Sequence, residues 1–147
     1  MFKSGFVSVI GRSNVGKSTL LNRVLGEKLT IISDKPQTTR NKIQLIYTDE
    51  NIQAIFLDTP GIQTPKNRLG DYMLKVSMST LNEVDVITYI VDTSEEIGKL
   101  DYEIIEKLRL VNTKIILLIN KIDKIPNNKV DDLVKMYKKI GIFDAFL

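Results

Sequence analysis

Short apolar runs alternate with segments of helical periodicity along most of the chain. Runs rich in β-branched and aromatic residues are typical of strands, and they cover residues 6–10, 43–48, 52–57, 86–91 and 115–119. Apolar residues at helical spacing predict helices over residues 19–25, 69–82, 100–108 and 131–139. Because the strands are almost wholly apolar and helices separate most of them, we predict an α/β fold with a mostly parallel, twisted sheet and helices on both faces.

Three segments depart from this alternation. Turn residues at 49–51 join two strand-like runs, which predicts a hairpin and hence one antiparallel strand at the edge of the sheet. Residues 27–42 show no sustained period, and we interpret them as a loop long enough to be functional. Residues 141–147 resemble the approach to another strand. The 147 residues contain no repeat or linker, so we predict one domain over residues 1–147.

A phosphate-binding pattern lies between the first strand and the first helix. Residues 11–18 fit G-x-x-x-x-G-K-[ST], the P-loop pattern. Its glycines permit a tight turn that brings backbone N–H groups near an anion, and the helix N-terminus adds partial positive charge. A glycine-rich turn that merely contains a lysine is the structural alternative. The predicted nucleotide-binding residues of this segment are Gly11, Arg12, Ser13, Asn14, Val15, Gly16, Lys17, Ser18 and Thr19.

Two further motifs follow predicted strands, at the edge where such sheets hold their ligands. A D-x-x-G motif follows residues 52–57, and an N-K-x-D motif follows residues 115–119. Each motif is weak alone, but three in order, each at a strand end, leave little room for coincidence. The first adds Asp58, Thr59, Pro60, Gly61 and Ile62 to the predicted nucleotide site, and the second adds Asn120, Lys121, Ile122 and Asp123.

The N-K-x-D motif predicts guanine as the base. The Asp123 carboxylate can accept hydrogen bonds from guanine N1–H and the exocyclic amine, whereas adenine offers no such pair of donors. Asn120 is expected to brace the loop or contact the base, and the Lys121 stem can cover the purine face. A second N-K-x-D, at residues 128–131, follows no predicted strand. We interpret it as capping and first-turn residues of the next helix.

Any chemistry must use carboxylates, hydroxyls, lysine and backbone amides, because the chain contains no cysteine and no histidine. Hard oxygen ligands favour Mg²⁺. Thr38 and Thr39 are candidates for a threonine that senses the γ-phosphate, and we favour Thr39. Lys17 is expected to reach the outer phosphates, and Gly61 to offer its N–H to the γ-phosphate. The predicted Mg²⁺ ligands are Ser18, Thr39 and Asp58.

The composition is that of an ordinary globular chain, with 43% hydrophobic and 27% charged residues. The net charge of +3 is too small to argue for a nucleic-acid surface. No apolar run approaches the roughly 20 residues that a membrane-spanning helix needs, and the first residues do not resemble a secretory signal. We therefore expect a cytoplasmic protein without a transmembrane segment.

The motif sequences GRSNVGKS, DTPG and NKID resemble those of translation-factor-class GTPases. The stretches PQTTR at 36–40 and DTPGIQTPKNRLGDYM at 58–73 narrow the resemblance to the Era family of bacterial ribosome-assembly GTPases. This resemblance implies a P-loop G domain that hydrolyses GTP and switches between GTP and GDP forms. It also implies a role in small-subunit assembly, ribosomal RNA binding through a C-terminal KH domain, and peripheral association with the inner face of the cell membrane.

Several family features would follow Leu147: the last strand and helix of the G domain, the fifth guanine-contacting loop and the KH domain. The resemblance therefore implies an incomplete G domain. Guanine affinity is expected to be weakened, and RNA binding by these residues alone is not expected.

Hydrolysis is expected to be slow, because Ile62 stands where Ras-like GTPases carry the glutamine that orients water. Positioning and charge neutralisation by Lys17, Mg²⁺ and the backbone amides would remain. Lys17, Thr39 and Gly61 are therefore candidate catalytic residues. In related GTPases that lack the glutamine, an asparagine at the P-loop position of Asn14 helps to hold K⁺. The resemblance thus makes Asn14 a candidate catalytic residue and K⁺ a candidate cofactor, with simple bracing of the loop as the alternative.

Two other functions stay open. One is a GTP- and GDP-sensing docking module without significant turnover. The other is the G domain of a GTPase linked to tRNA modification or to a membrane transporter.

Overall fold

The computed structural model describes residues 1–12, 14–26, 29–33, 43–56 and 78–147. Its strands are β1 (Lys3–Ile10), β2 (Leu29–Ser33), β3 (Ile43–Thr48), β4 (Ile52–Phe56), β5 (Val86–Val91), β6 (Lys114–Ile119) and β7 (Ala145–Phe146). Its helices are α1 (Lys17–Leu25), α2 (Met78–Glu83), α3 (Lys99–Leu108) and α4 (Asn127–Lys138), with a 3₁₀ turn at Ile122–Lys124. Within these ranges, no helix is long and apolar enough to cross a membrane.

The strands form one mixed sheet in the order β2-β3-β4-β1-β5-β6-β7. β1 pairs in parallel with β4 and β5, and β6 pairs in parallel with β5 and β7. β3 runs antiparallel to both of its neighbours. The prediction of a mostly parallel sheet with one antiparallel strand is therefore confirmed, but the predicted place of that strand at the edge of the sheet was wrong, because β3 is paired on both sides. The outermost position beside β3 is occupied by β2.

The prediction of a loop over residues 27–42 was wrong for Leu29–Ser33, which form β2. Three of the five residues of β2, Thr30, Ile31 and Ile32, are β-branched and favour a strand. A run of five residues is too short to show a sustained alternation, so pairing with β3 decided the outcome.

The start of one predicted helix differs clearly from the periodicity. The helix predicted over residues 131–139 begins earlier, at Asn127, because Pro126 is its N-cap and the polar first turn carries little apolar pattern. Of the helix predicted over residues 69–82, residues 69–77 lie outside the described ranges, and the described part is α2, Met78–Glu83. The hairpin of β3 and β4 and the strands β5 and β6 confirm the predictions. β7 lies where the approach to a further strand was predicted.

The buried side chains form two clusters, one on each face of the sheet. β5 shows the alternation that produces them: Ile87, Tyr89 and Val91 belong to one cluster and Ile90 to the other. The first cluster also contains buried residues of α2, α3 and α4, and the second contains Leu21 of α1. Helices therefore cover both faces, as predicted. This packing places the carboxyl ends of β1, β5 and β6 side by side in the middle of the sheet.

Candidate functional site

The P-loop turns tightly between the end of β1 and the first turn of α1. Gly11 is buried, and a Cβ there would collide with the carbonyl oxygen of Ile90 in the neighbouring strand. Gly16 has φ of +97°, and a Cβ there would collide with the side-chain amide of Asn120. Both positions thus require glycine, Gly11 for close approach and Gly16 also for its backbone conformation. Val15 between them is fully buried, which fixes the loop to the core beneath α1.

Lys17 begins α1, and its side chain lies back over the loop. Nζ donates hydrogen bonds to the carbonyl oxygens of Gly11 and Arg12, the second at 3.0 Å. The residue is only 9% exposed, and this burial lowers the pKa of Lys17 to about 8. Carbonyl oxygens do not neutralise an ammonium as a carboxylate would. Lys17 therefore offers a poorly solvated positive charge to an anionic ligand.

The N-K-x-D loop is bonded directly to the P-loop. Asn120 continues from β6, where its backbone N–H donates to the Val91 carbonyl oxygen at 2.8 Å. Its side-chain amide donates to the Val15 carbonyl oxygen, also at 2.8 Å. Lys121 adopts a left-handed conformation with φ of +63°, and its Nζ donates to the Asn14 carbonyl oxygen. Of the two roles expected for Asn120, the observed contact is the brace.

Asp123 lies in the 3₁₀ turn that follows these two residues, and it is exposed. Ile122 beside it is also half exposed. The carboxylate is therefore open to an incoming group next to the braced loop. The second N-K-x-D motif lies inside α4 and away from any strand end. Its first-turn location was predicted, but the expected capping by Asn128 was wrong, because the N-cap is Pro126 and makes no side-chain capping bond.

Sequence reasoning missed the residues that hold the Arg12 side chain. The Arg12 guanidinium donates to Asp92 at 2.6 Å, to Ser94 at 3.0 Å and to Asp101 at 2.8 Å. The Tyr89 hydroxyl donates to the other Asp101 oxygen at 2.7 Å. Asp92 directly follows β5, so its position at a strand end was a detectable signal. Asp101 lies on the buried face of α3, where a carboxylate needs a partner.

Burial and ionic contacts oppose each other in this group. Burial acts to lower the pKa of Arg12, but the charges of Asp101 and Asp92 raise it overall. Burial acts to raise the pKa of Asp92, but hydrogen bonds from Ser94 and the charge of Arg12 lower it overall. Burial and the hydrogen bond to Asp101 raise the pKa of Tyr89 far above its usual range. At neutral pH the three groups are therefore cation, anion and neutral donor.

The predicted site residues outside the described ranges are Ser13, Thr38, Thr39, Asp58, Thr59, Pro60, Gly61 and Ile62. Ser18 lies in the first turn of α1, and Thr19 is exposed on the same helix. β4 pairs with β1, with Phe56 opposite Val7, so the strand that precedes the D-x-x-G motif lies beside the strand that precedes the P-loop.

Comparison with known proteins agrees with this geometry. The family model described as 50S ribosome-binding GTPase matches residues 6–121. The GTPase Era of Clostridioides difficile strain 630 is 58% identical over 144 residues, which are 97% of this chain and 48% of that protein. Era of Alkaliphilus oremlandii strain OhILAs is 55% identical, again over 97% of this chain and 48% of that protein. The chain thus spans about half the length of the curated relatives it matches.

A solved structure supports the same relationship. A crystal structure of Era in complex with MgGDPNP and nucleotides 1506–1542 of 16S ribosomal RNA superposes with a TM-score of 0.74 at 40% sequence identity. The match covers 100% of this chain and 51% of that one. A braced P-loop, an N-K-x-D loop bonded to it and a family match over most of the chain lead to one conclusion: the chain belongs to the family of 50S ribosome-binding GTPases, and within it resembles the GTPase Era.

Proposed function

We propose that this chain binds GTP and GDP and hydrolyses GTP, as the nucleotide switch of an Era-like ribosome-assembly factor. One observation carries the proposal: Asn120 and Lys121 are hydrogen-bonded to the backbone of Val15 and Asn14. A phosphate-binding loop and a base-binding loop that are joined to each other fit a ligand that carries both groups. A guanine nucleotide is such a ligand.

Base selection rests on Asp123. Its exposed carboxylate accepts hydrogen bonds from guanine N1–H and the exocyclic amine. Adenine has an acceptor at N1 and no amine at the adjacent carbon, so it would leave the carboxylate partly unpaired. This argues for GTP over ATP.

Hydrolysis transfers the γ-phosphoryl group to water. The water oxygen bonds to the γ-phosphorus, the bond from that phosphorus to the β–γ bridging oxygen breaks, and GDP leaves with the electron pair. One proton of the water stays on the released phosphate, and the other passes to solvent. Lys17 and the N–H groups of the P-loop stabilise negative charge on the phosphate oxygens. Ile62 has no polar atom that can orient the water, so slow turnover is expected.

Ions complete the proposed site. Mg²⁺ bound by Ser18, Thr39 and Asp58 would neutralise charge on the outer phosphates. We include K⁺ as a second ion held with the help of Asn14, whose side chain is exposed and whose φ is +64°. The Era relative crystallised with MgGDPNP supports the first ion. The second rests on the family resemblance.

The partner is proposed from the relatives. The Era neighbour that was solved with 16S ribosomal RNA supports a role in assembly of the small ribosomal subunit. Because the resemblance assigns RNA binding to a KH domain, these residues alone are not expected to bind RNA. Cytoplasmic location and peripheral contact with the inner face of the membrane stay predictions.

Isothermal titration with GDP, GTP and ATP tests the proposal. GDP and GTP should bind and ATP should not, and Asp123→Ala should weaken GDP binding by about 100-fold, since two hydrogen bonds to a charged group amount to about 3 kcal/mol. The chain supplies a matched control in Asp131, the exposed aspartate of the second N-K-x-D motif. Asp131→Ala should leave GDP affinity unchanged. Equal affinity for ATP, or equal losses in the two variants, would refute the role of Asp123.

Phosphate release separates the proposal from a docking module. Ile62 stands in place of the glutamine that orients water. This is the sequence feature that most favours a docking module with negligible turnover. Slow, Mg²⁺-dependent release of phosphate from GTP, abolished in Lys17→Met, supports hydrolysis. Tight GDP binding with no release above the Lys17→Met background would leave the docking module as the better description.

A further inference from the structure

The Arg12 guanidinium joins the P-loop to two elements outside it. Nε bonds to Asp101 in the first turn of α3, while Nη2 bonds to Asp92 and Ser94 in the segment after β5. The guanidinium is planar and rigid, so hydrogen bonds in different directions fix both its position and its orientation. These side-chain hydrogen bonds thereby also restrain the backbone of Arg12.

Asp101 is the best-buried member of this group, at 2% exposure. It shares the buried face of α3 with Ile104, Ile105 and Leu108, an apolar setting that is costly for a carboxylate. Both of its oxygens are satisfied: one accepts from Arg12 and the other from the Tyr89 hydroxyl. Loss of the Arg12–Asp101 pair would therefore leave the buried carboxylate of Asp101 without its cation.

The consequence for Lys17 follows from the backbone. Its Nζ bonds to the carbonyl oxygens of Gly11 and Arg12, the second being the residue that Asp101 holds. A lysine side chain is long and flexible, so its ammonium stays in place only while those carbonyl groups keep their direction. Rotation of the Arg12 peptide would release it.

We propose that Asp101 is a positioning residue for Lys17 and acts through Arg12. The proposal rests on the nucleotide binding proposed above, since Lys17 is the group that meets the phosphates. Asp101 touches no phosphate itself. Its effect on nucleotide affinity passes through the Arg12 side chain and the two carbonyl oxygens.

A purely structural role for Asp101 makes a different forecast. In that case loss of Asp101 would unfold a fraction of the molecules, and the molecules that stay folded would bind nucleotide normally. Titration separates the two, because unfolding lowers the number of binding sites per chain, whereas mispositioning of Lys17 raises the dissociation constant.

Tyr89→Phe provides the matched control. It removes one hydrogen bond from Asp101 but leaves the Arg12–Asp101 pair intact. Asp101→Asn keeps the shape of the side chain and removes the charge that holds Arg12. Both variants should unfold at lower temperature than the unmodified chain, so stability alone does not distinguish them.

The experiment is titration of GDP into the unmodified chain, Asp101→Asn and Tyr89→Phe, with the thermal midpoint of each. Asp101→Asn should bind about tenfold more weakly at unchanged stoichiometry, and Tyr89→Phe should keep its affinity. Arg12→Lys gives a second route, because a lysine side chain carries the charge but lacks the fork that bridges Asp101 and Asp92. This variant should weaken binding similarly, and the double variant with Asp101→Asn should add little further loss.

Three results would overturn the inference. These are unchanged affinity in Asp101→Asn, equal losses in Asp101→Asn and Tyr89→Phe, or additive losses in the double variant. Any of them would leave the proposed nucleotide binding intact, since the unmodified chain would still prefer guanine nucleotides over ATP. Absence of GDP binding by the unmodified chain would instead reject both the proposed function and this inference.

Discussion

The side-chain amide of Asn120 donates a 2.8 Å hydrogen bond to the carbonyl oxygen of Val15, a residue 105 positions earlier in the chain. This bond joins the loop after β6 to the P-loop after β1, although β5 separates the two strands in the sheet. Val15 is fully buried, so its carbonyl has little access to an alternative partner.

Asn120→Ala is expected to lower both stability and nucleotide affinity. It leaves the Val15 carbonyl oxygen without its donor, at a cost of about 1–3 kcal/mol. Thermal unfolding and GDP titration measure the two effects. Asn82→Ala is the control, because the Asn82 side chain also bonds to the backbone, accepting from the Asn112 N–H at 3.3 Å, and lies outside the site. It should reduce stability slightly and leave GDP affinity unchanged; a loss of affinity there would argue against a specific role for Asn120.

Gly16→Ala is expected to disrupt the same contact between Asn120 and the P-loop, this time by a change in the P-loop. The new methyl group would collide with the Asn120 amide, and φ of +97° is unfavourable for alanine. Stability should fall, and GDP binding should be lost or strongly weakened. Gly141→Ala is the matched comparison, since Gly141 has φ of +75° and open space around its Cβ position. Both variants suffer backbone strain, so the collision accounts for whatever Gly16→Ala loses beyond Gly141→Ala. Equal losses of stability in the two variants would show that contact with Asn120 is unimportant.

Lys17 predicts a pH dependence of nucleotide binding. Burial lowers its pKa from 10.5 to about 8, and bound phosphates favour the charged form. Binding should therefore take up a proton near that pH, and GDP affinity should fall as pH rises through about 8. The stability of the nucleotide-free chain depends on pH in the opposite direction. The unfolded lysine keeps its proton up to 10.5, so the contribution of Lys17 to the free energy of unfolding rises as pH increases from about 8 towards that value.

Calorimetric titration in buffers of different ionisation enthalpy measures this proton uptake. Lys17→Met is the control for other titrating groups, including guanine itself. It should bind GDP more weakly and show no uptake assignable to position 17, and GDP should raise its thermal midpoint by less than that of the unmodified chain. Without nucleotide it should unfold at a temperature no lower than the unmodified chain, because a poorly solvated charge has been removed. Identical proton uptake in both chains would contradict the assigned role of burial at Lys17.

The sequence predicted those parts of the molecule whose signal lies in a short, continuous stretch of residues. The spacing of apolar residues predicted most strands and helices, and the contiguous motifs at strand ends predicted the P-loop and the N-K-x-D loop. β2 was missed because five residues carry too little periodicity, and its place depends on pairing with β3. The start of α4 was missed because its first turn is polar.

The Arg12 contacts show why the rest of the site was not predicted. Arg12 and Asp101 are 89 positions apart, and nothing in the P-loop pattern indicates a partner for the variable second position. Near the start of α3, Leu100 packs partly buried against the core, and Asp101 beside it is fully buried. Spacing of Asp101 with Ile104 and Ile105 marks a carboxylate on a buried face. That signal predicts the need for a cation, but only the fold identifies which one.

Asn14 provides the last prediction, a dependence of hydrolysis on K⁺. Its backbone conformation, with φ of +64°, is one that asparagine and glycine tolerate, and its carbonyl oxygen accepts from Lys121. Asn14→Gly therefore keeps the loop conformation and the Lys121 contact and removes only the side-chain amide. With GTP at constant ionic strength, the unmodified chain should release phosphate at least about tenfold faster in KCl than in NaCl, a difference of about 1.4 kcal/mol in barrier height. Asn14→Gly should show similar rates in the two salts and retain its affinity for GDP. Equal rates in the two salts for the unmodified chain would reject K⁺ as a cofactor. A K⁺ response that survives in Asn14→Gly would move the ion to other ligands and leave Asn14 as a brace of the loop.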